Sequence, residues 1–245
     1  MVQLDRHRHR PAIVAATIGT TMTEAVDDVR RIREVLDALA VRRRFVHADA
    51  ALSGLPLALL DPAQRPGFDF ADGADSVTVS GHKFVGSPAP CGVVVVKASH
   101  RNRVARAGTY TASPDATIGG SRSGHAPLVL WWALRCHGVD GLRARAERSR
   151  ALAGQTLAEL TRIGWEAFRH PHAFTVVLRT PPAVVLAKWV LASAGGWSHV
   201  ITMPGVTVDQ VSEFIADMVA ATGNAAGNGS APAARAGAPV RVGSI

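Results

Sequence analysis

Apolar and small residues run almost without interruption through PAIVAATIG (11–19), and Gly19 closes the run. Such a run, ended by a glycine, predicts a strand buried on both faces. In the following stretch, TEAVDDVRRIREVLDAL, the residues Ala25, Val26, Val29, Ile32, Val35, Leu36 and Leu39 recur with helical spacing. That period predicts an amphipathic helix with Thr23 as its N-cap and acids gathered in its first turns. RFVHADAA then reads as a second strand, and SVTVS and CGVVVVKA as two further buried strands. Strand, helix and strand at this spacing make a βαβ unit, so the expected core is α/β, a mostly parallel sheet with helices over its faces.

Beyond residue 125 the texture changes. PLVLWWALRCHG and LRARAERSRALAGQTLAELTRIG carry helical patterns, the second with Leu152, Leu157, Leu160 and Ile163 on one face. Short strands are expected at FTVVLRT (174–180) and SHVITM (198–203), with a helix AVVLAKWVLASAG between them and another, TVDQVSEFIADMVAAT, after them. The expected organisation is a basic, disordered segment over 1–10, a large α/β domain over 11–125, a small C-terminal α/β domain over 126–222, and a disordered tail over 223–245 whose Ala, Gly, Pro and Asn show no apolar period.

Composition narrows the function classes. At 47% hydrophobic the chain of 245 residues buries a sizeable core. Its net charge of +8 permits an acidic partner, but the arginines are scattered along helix faces and aromatic residues make up only 5%, which leaves little for bases to stack on. No nucleic-acid partner is expected. Two cysteines, Cys91 and Cys136, are too few for a disulfide scaffold or a cysteine-rich metal site and fit a reducing cytoplasm. The apolar run after the basic start is too short for a signal sequence or a membrane span.

Candidate chemistry centres on SVTVSGHKFVGSPAPCG, which sets Lys83 between two apolar runs among glycines and prolines. A lysine in apolar surroundings is pushed towards its neutral, nucleophilic amine. With a carbonyl cofactor such as pyridoxal 5'-phosphate that amine forms a Schiff base, and the protein must also hold the phosphate and keep the ring nitrogen protonated. The second task needs a buried carboxylate, and Asp49 stands at the end of an apolar strand, followed by the small residues Ala50 and Ala51 that let a flat ring approach. The first needs hydroxyls, imidazole and backbone N–H groups. Ser80 and His82 precede Lys83, and Thr20 and Thr21 end the first strand. Ligands of open α/β sheets gather at the carboxyl ends of strands, so these three strand ends converge on one place. Taken singly, an Asp at a strand end is more often a turn former, and Ser-Gly-His-Lys more often just a turn.

The segments HADAALSG, SGHKFVGSPAPCG and DATIGGSRSGHAPLVLW closely resemble the pyridoxal-dependent group II amino-acid decarboxylases, within them the branch of bacterial histidine and plant-type serine decarboxylases. The resemblance runs from about Pro11 to Val219. It implies the aspartate-aminotransferase-like fold of PLP-dependent transferases, with a partial large domain, and α-decarboxylation of a small-molecule L-amino acid to the amine and carbon dioxide by a homodimer. It further implies that Lys83 carries pyridoxal 5'-phosphate, Asp49 pairs with the pyridinium nitrogen, Ala51 lies against one ring face, Ser80 and His82 touch the phosphate, and Thr21 lies near the ring. Tyr110, the only tyrosine, occupies the stretch where relatives carry a loop tyrosine proposed to give the proton to Cα. KWVLASAGG and DATIGGSRSGHAP look closer to the serine branch, while HADAALSG and SGHKFVGSP suit both.

Members of that family carry a long segment ahead of the part matching AIVAATIGTT, including a phosphate loop and a ring-stacking histidine, where this chain has MVQLDRHRHRP. The expected consequences are a sheet with an open edge and a bare apolar face, weak cofactor binding and poor solubility alone. The alternative reading is an inactive PLP-fold fragment or pseudoenzyme acting as an interaction protein.

Overall fold

The computed structural model describes residues 5–107, 114–119 and 122–227, with side chains as far as Thr222. It divides into two compact units, Met1–Arg148 and Ser149–Ile245; the change in sequence texture lies earlier, at 125/126. Residues 5–10, expected to be disordered, make a turn in which Arg10 N donates to His7 O at 2.8 Å.

The first unit begins with β1 (Ala12–Thr17), α1 (Val29–Ala38), β2 (Arg44–Asp49), α2 (Gly54–Ala58), β3 (Ser76–Ser80) and β4 (Gly92–Val96). The strands form one sheet in that order, parallel from β1 to β3, with β4 antiparallel to β3. The βαβ unit is therefore present.

Helix α1 starts later than its sequence pattern suggests. Its cap is Asp28, whose carboxylate accepts from Arg30 N at 2.9 Å and Arg31 N at 3.2 Å, and its first turn holds no acid. Thr23 instead bonds the Thr20 hydroxyl at 2.8 Å. The reason is that residues 25–27 are already committed to closing β1: Gly19 N and Thr20 N donate to Ala25 O, Val26 bridges Ile18, and Asp27 accepts from Thr17 N at 2.8 Å. A backbone engaged in this way is unavailable to a helix ladder. Gly19 makes the turn possible; it lies at φ 102°, and a Cβ there would overlap the Ser53 hydroxyl.

The strand register sorts the sheet into two faces. Ala16, Ala48 and Val77 lie in one cross-strand row and are buried with Val46, Val29 and Leu36, so α1 packs on that side. The row Thr17, Asp49, Thr78 and Val94 faces the other way. That side is uncovered, with Ile13 83% exposed and Val94 64% exposed. The expectation that the first and fourth strands are buried on both faces is corrected: β1 and β4 are the edges of this sheet, and one face of it carries no layer among the described residues.

At the amino end of β3 an ionic cluster pins the strands. Asp75 accepts from Val46 N at 2.9 Å, Arg33 Nη2 at 2.6 Å and Lys97 Nζ at 2.9 Å. Burial pushes its carboxyl up, but the Val46 N–H, the Lys97 hydrogen bond and the Arg33 and Lys97 charges outweigh that and hold it below the ordinary aspartate range. Asp72 is arranged likewise, accepting from Phe68 N at 2.8 Å and Arg30 Nε at 2.5 Å.

After α3 (Ala98–Val104) and a two-stranded ribbon of β5 (Arg106–Ala107) and β6 (Pro114–Asp115), helix α4 (His125–Arg162) runs to the end of the expected helical region and breaks at Gly138. The second unit adds β7 (Ala167–Phe168), β8 (Thr175–Arg179), α5 (Ala183–Trp189), β9 (Ser193–Ala194), β10 (Trp197–Ile201) and α6 (Val208–Gly227). Its sheet is antiparallel in the order β7-β8-β10-β9. Leu152, Leu160, Val176, Leu178, Phe214 and Met218 form its core. Helix α5 is shorter than expected because Val190 turns left-handed and the next residues pair as β9 with β10. Helix α6 continues to Gly227, past the Thr222 at which composition suggests disorder; residues 228–245 lie outside the described residues.

Candidate active site

Three parallel strands end at one edge of the first sheet. Ile18 N donates to Asp49 O at 2.8 Å, Ala50 N to Thr78 O at 2.9 Å and Ser80 N to Ala51 O at 3.0 Å. These bonds hold the chain after β1, β2 and β3 side by side. The structure thus brings Thr20 and Thr21, Asp49 to Ala51, and Ser80 to Lys83 to the same edge.

Asp49 is exposed, not buried as its expected role suggests, because it belongs to the uncovered face. Two residues earlier on that face, His47 bridges the Ser76 hydroxyl, 2.7 Å from Nδ1, and the Thr78 hydroxyl, 3.1 Å from Nε2. Sequence reasoning passed over His47; its alternation with Asp49 in VHAD was the available signal.

Lys83 also differs from expectation. It sits in a turn anchored by the buried Phe84 and Val85, which leave the Lys83 side chain exposed and not enclosed by apolar groups. The turn is closed by Gly81 N to Cys91 O at 2.9 Å, Gly86 N to Lys83 O at 3.1 Å and Ser87 N to Gly81 O at 2.9 Å. Gly81 is required by close packing, since a Cβ would overlap Leu130 and lie 2.6 Å from Cys91 Sγ. His82 directs Nδ1 at the Cys91 backbone, 3.1 Å from its N and 3.2 Å from its O. The tautomer that accepts the Cys91 N–H leaves Nε2–H as a donor. Ser80 is half-buried and Thr21 exposed, while Tyr110 lies outside the described residues.

The three lysines of the chain are not equivalent. Lys97 is bound to Asp75, and Lys188 lies 2.7 Å from both Asp217 and Glu213, whose hydrogen bonds, Asp217 first, raise its ammonium above the ordinary value. Among the described residues Lys83 makes no ion pair, so its amine alone is open to an incoming electrophile.

Residues 1–170 match the family model described as the pyridoxal-dependent decarboxylase conserved domain. The chain belongs to the pyridoxal-dependent decarboxylase family. It is 45% identical over 210 residues to a histidine decarboxylase of Mesorhizobium japonicum, covering 86% of this chain and 56% of that protein. Over 222 residues it is 37% identical to a histidine decarboxylase of Vibrio campbellii, covering 89% and 57%. A solved L-methionine decarboxylase of Streptomyces sp. 590, in its internal aldimine form, superposes with TM-score 0.77 at 27% identity, covering 89% of this chain and 55% of that one. The fold is that of the PLP-dependent decarboxylases, aminotransferase-like, and the chain spans just over half the length of the curated relatives it matches.

Pyridoxal 5'-phosphate, the family's cofactor, offers an aldehyde, a basic ring nitrogen and a phosphate. An exposed amine, a carboxylate, a hydroxyl and an imidazole N–H at one sheet edge fit those three groups.

Proposed function

We propose that this chain forms the cofactor-attaching part of an amino-acid decarboxylase, a carboxy-lyase acting on an L-amino acid, with histidine the preferred substrate. The observation that carries the reading is the amine of Lys83, which makes no ion pair among the described residues, at the same sheet edge as the carboxylate of Asp49. The relatives named histidine decarboxylases, at 37% and 45% identity, support histidine over serine.

In this reading Lys83 Nζ would hold the cofactor through its aldehyde carbon, the aldehyde oxygen leaving as water, and the Asp49 carboxylate would hold the proton on the ring nitrogen. Ala51 would lie against one ring face and Thr21 near the ring. The Ser80 hydroxyl and His82 Nε2–H would donate to the phosphate, and Tyr110 would give Cα the proton that replaces the departed carboxyl group. When bound, the cofactor supplies an electron sink for the pair left by departing carbon dioxide. A homodimer in the cytoplasm is part of the proposal: exposed Trp131 and Trp132 on α4 offer an apolar contact, and both cysteines are unpaired. Among the described residues no helix is long and apolar enough to cross a membrane.

The test is borohydride reduction of the protein with pyridoxal phosphate, followed by peptide mapping. Label is expected on Lys83; label on Lys97 or Lys188 in its place overturns the assignment.

A further inference from the structure

Arginines that lie far apart in the sequence are gathered at one end of the first sheet. Residues 6–10 lead into β1 and residues 42 and 43 into β2, and the two approaches run side by side: Ala12 pairs with Arg44, and Ala12 N donates to Arg43 O at 2.9 Å. Because β4 is antiparallel to β3, its carboxyl end and α3 return to the same place. Ser76 pairs with Val96, Lys97 N donates to Asp75 O at 3.2 Å, and the His100 ring meets the Phe45 ring edge-on with centroids 5.1 Å apart. This rim lies at the opposite end of the strands from Asp49 and Lys83. Arg6, Arg10, Arg42, Arg43, Arg101 and Arg103 are exposed on it, and among the described residues none of the six makes an ion pair. The rim's acids are already engaged, Asp5 with Arg8 at 3.8 Å, Asp37 with Arg44 at 2.6 Å and Asp75 with Lys97 at 2.9 Å.

We infer that this rim docks an acidic polypeptide segment of a partner protein, whose Asp and Glu side chains pair with the six arginines. A guanidinium offers paired N–H donors that match a carboxylate, and gathered guanidinium groups without counter-charges attract anions. A nucleic-acid duplex carries a charge about every 1.7 Å and would be pressed against the exposed carboxylates of Asp5 and Asp37. A polypeptide sets its acids opposite the unpaired arginines alone. Bases would also find nothing to stack on, since Phe45, the only Phe, Tyr or Trp in these segments, is turned against His100. An anionic bilayer presents charge as unbroken as that of the duplex and meets the same two carboxylates. The rim takes no part in the chemistry proposed for Lys83, so its test depends on neither cofactor nor turnover.

The experiment measures, by fluorescence anisotropy, binding of a labelled oligoglutamate of about twelve residues, long enough to cross the sheet end, to the full chain. Binding is expected, and it should weaken roughly ten-fold between about 50 and about 200 mM salt. The double variant Arg42→Glu, Arg43→Glu should bind about ten-fold or more weakly with an unchanged circular dichroism spectrum. Arg101→Glu, Arg103→Glu should do the same from another element, and it serves even if the first variant does not fold. Arg135→Glu, Arg148→Glu, two exposed positions on α4, makes the same change in net charge away from the rim and should bind within about two-fold of the parent. No binding of oligoglutamate, undiminished binding to either folded rim variant, or an equal loss in the α4 variant overturns the inference. So does tighter binding of duplex DNA, or of phosphatidylserine vesicles, than of oligoglutamate at equal charge concentration.

Discussion

The Ser53 hydroxyl donates to the Glu24 carboxylate at 3.0 Å, with Ser53 only 1% exposed and Glu24 3% exposed. The pair ties the loop after β1 to the start of α2, the two segments that flank Asp49. Glu24 also takes a left-handed φ of 57°, which a non-glycine residue holds only when its surroundings fix it.

Ser53→Ala removes that bond from a buried carboxylate and is expected to cost about 1–3 kcal/mol. Urea unfolding at neutral pH measures it. Gly19→Ala should cost more, because the added Cβ meets the Ser53 hydroxyl at a φ unsuited to alanine; an equally stable Gly19→Ala protein contradicts the packing described.

Asp75 makes stability depend on acid. Its folded-state pKa is held down, so its contribution is complete above the unfolded aspartate value of about 3.9 and disappears as pH falls through the lower folded value. Unfolding free energy should therefore drop steeply below about pH 4. Asp75→Asn, by uncoupling Arg33 and Lys97, should lose about 3 kcal/mol at pH 7 and flatten the acid limb. Denaturant midpoints from pH 7 to pH 3 give both quantities.

Asp49→Asn separates attachment from chemistry. Borohydride should still label Lys83 in the variant, while amine release from histidine should fall on the order of 100-fold or more, as when a charge-stabilising group is removed from an active site. Near-normal turnover in an active parent would remove Asp49 from the proposed role.

Gly81→Ala tests the close contact beneath the lysine turn. The methyl group must displace Leu130 and Cys91, so a loss of about 1–3 kcal/mol is expected, together with reduced labelling of Lys83 as the turn shifts. Thermal unfolding and the same peptide map read the two effects.

Ile13 and Val94 stand on the uncovered side of the sheet at its two edges. Exposed apolar edges promote association between chains. The double variant Ile13→Thr, Val94→Thr should sediment with a smaller associated fraction than the parent at equal concentration, and an unchanged profile would assign the association to another surface.

The order of β1, α1, β2, β3 and β4, and the arrival of Thr20, Asp49 and Lys83 at strand ends, were legible in the chain because they follow from periods of 2 and 3.6 and from local punctuation such as Gly19. Long-range bonding decided the rest. Helix α1 yields Thr23 to Asp28 because residues 25–27 bond back to the end of β1, a pairing invisible in a linear pattern. His47 meets Ser76 and Thr78 only through the β2–β3 register. Glu24 finds Ser53 only once two strand ends are side by side. The exposure of Asp49 and Lys83 depends on which layers cover which surfaces. Periodicity says which residues share a face; only the neighbouring elements determine whether that face meets protein or water.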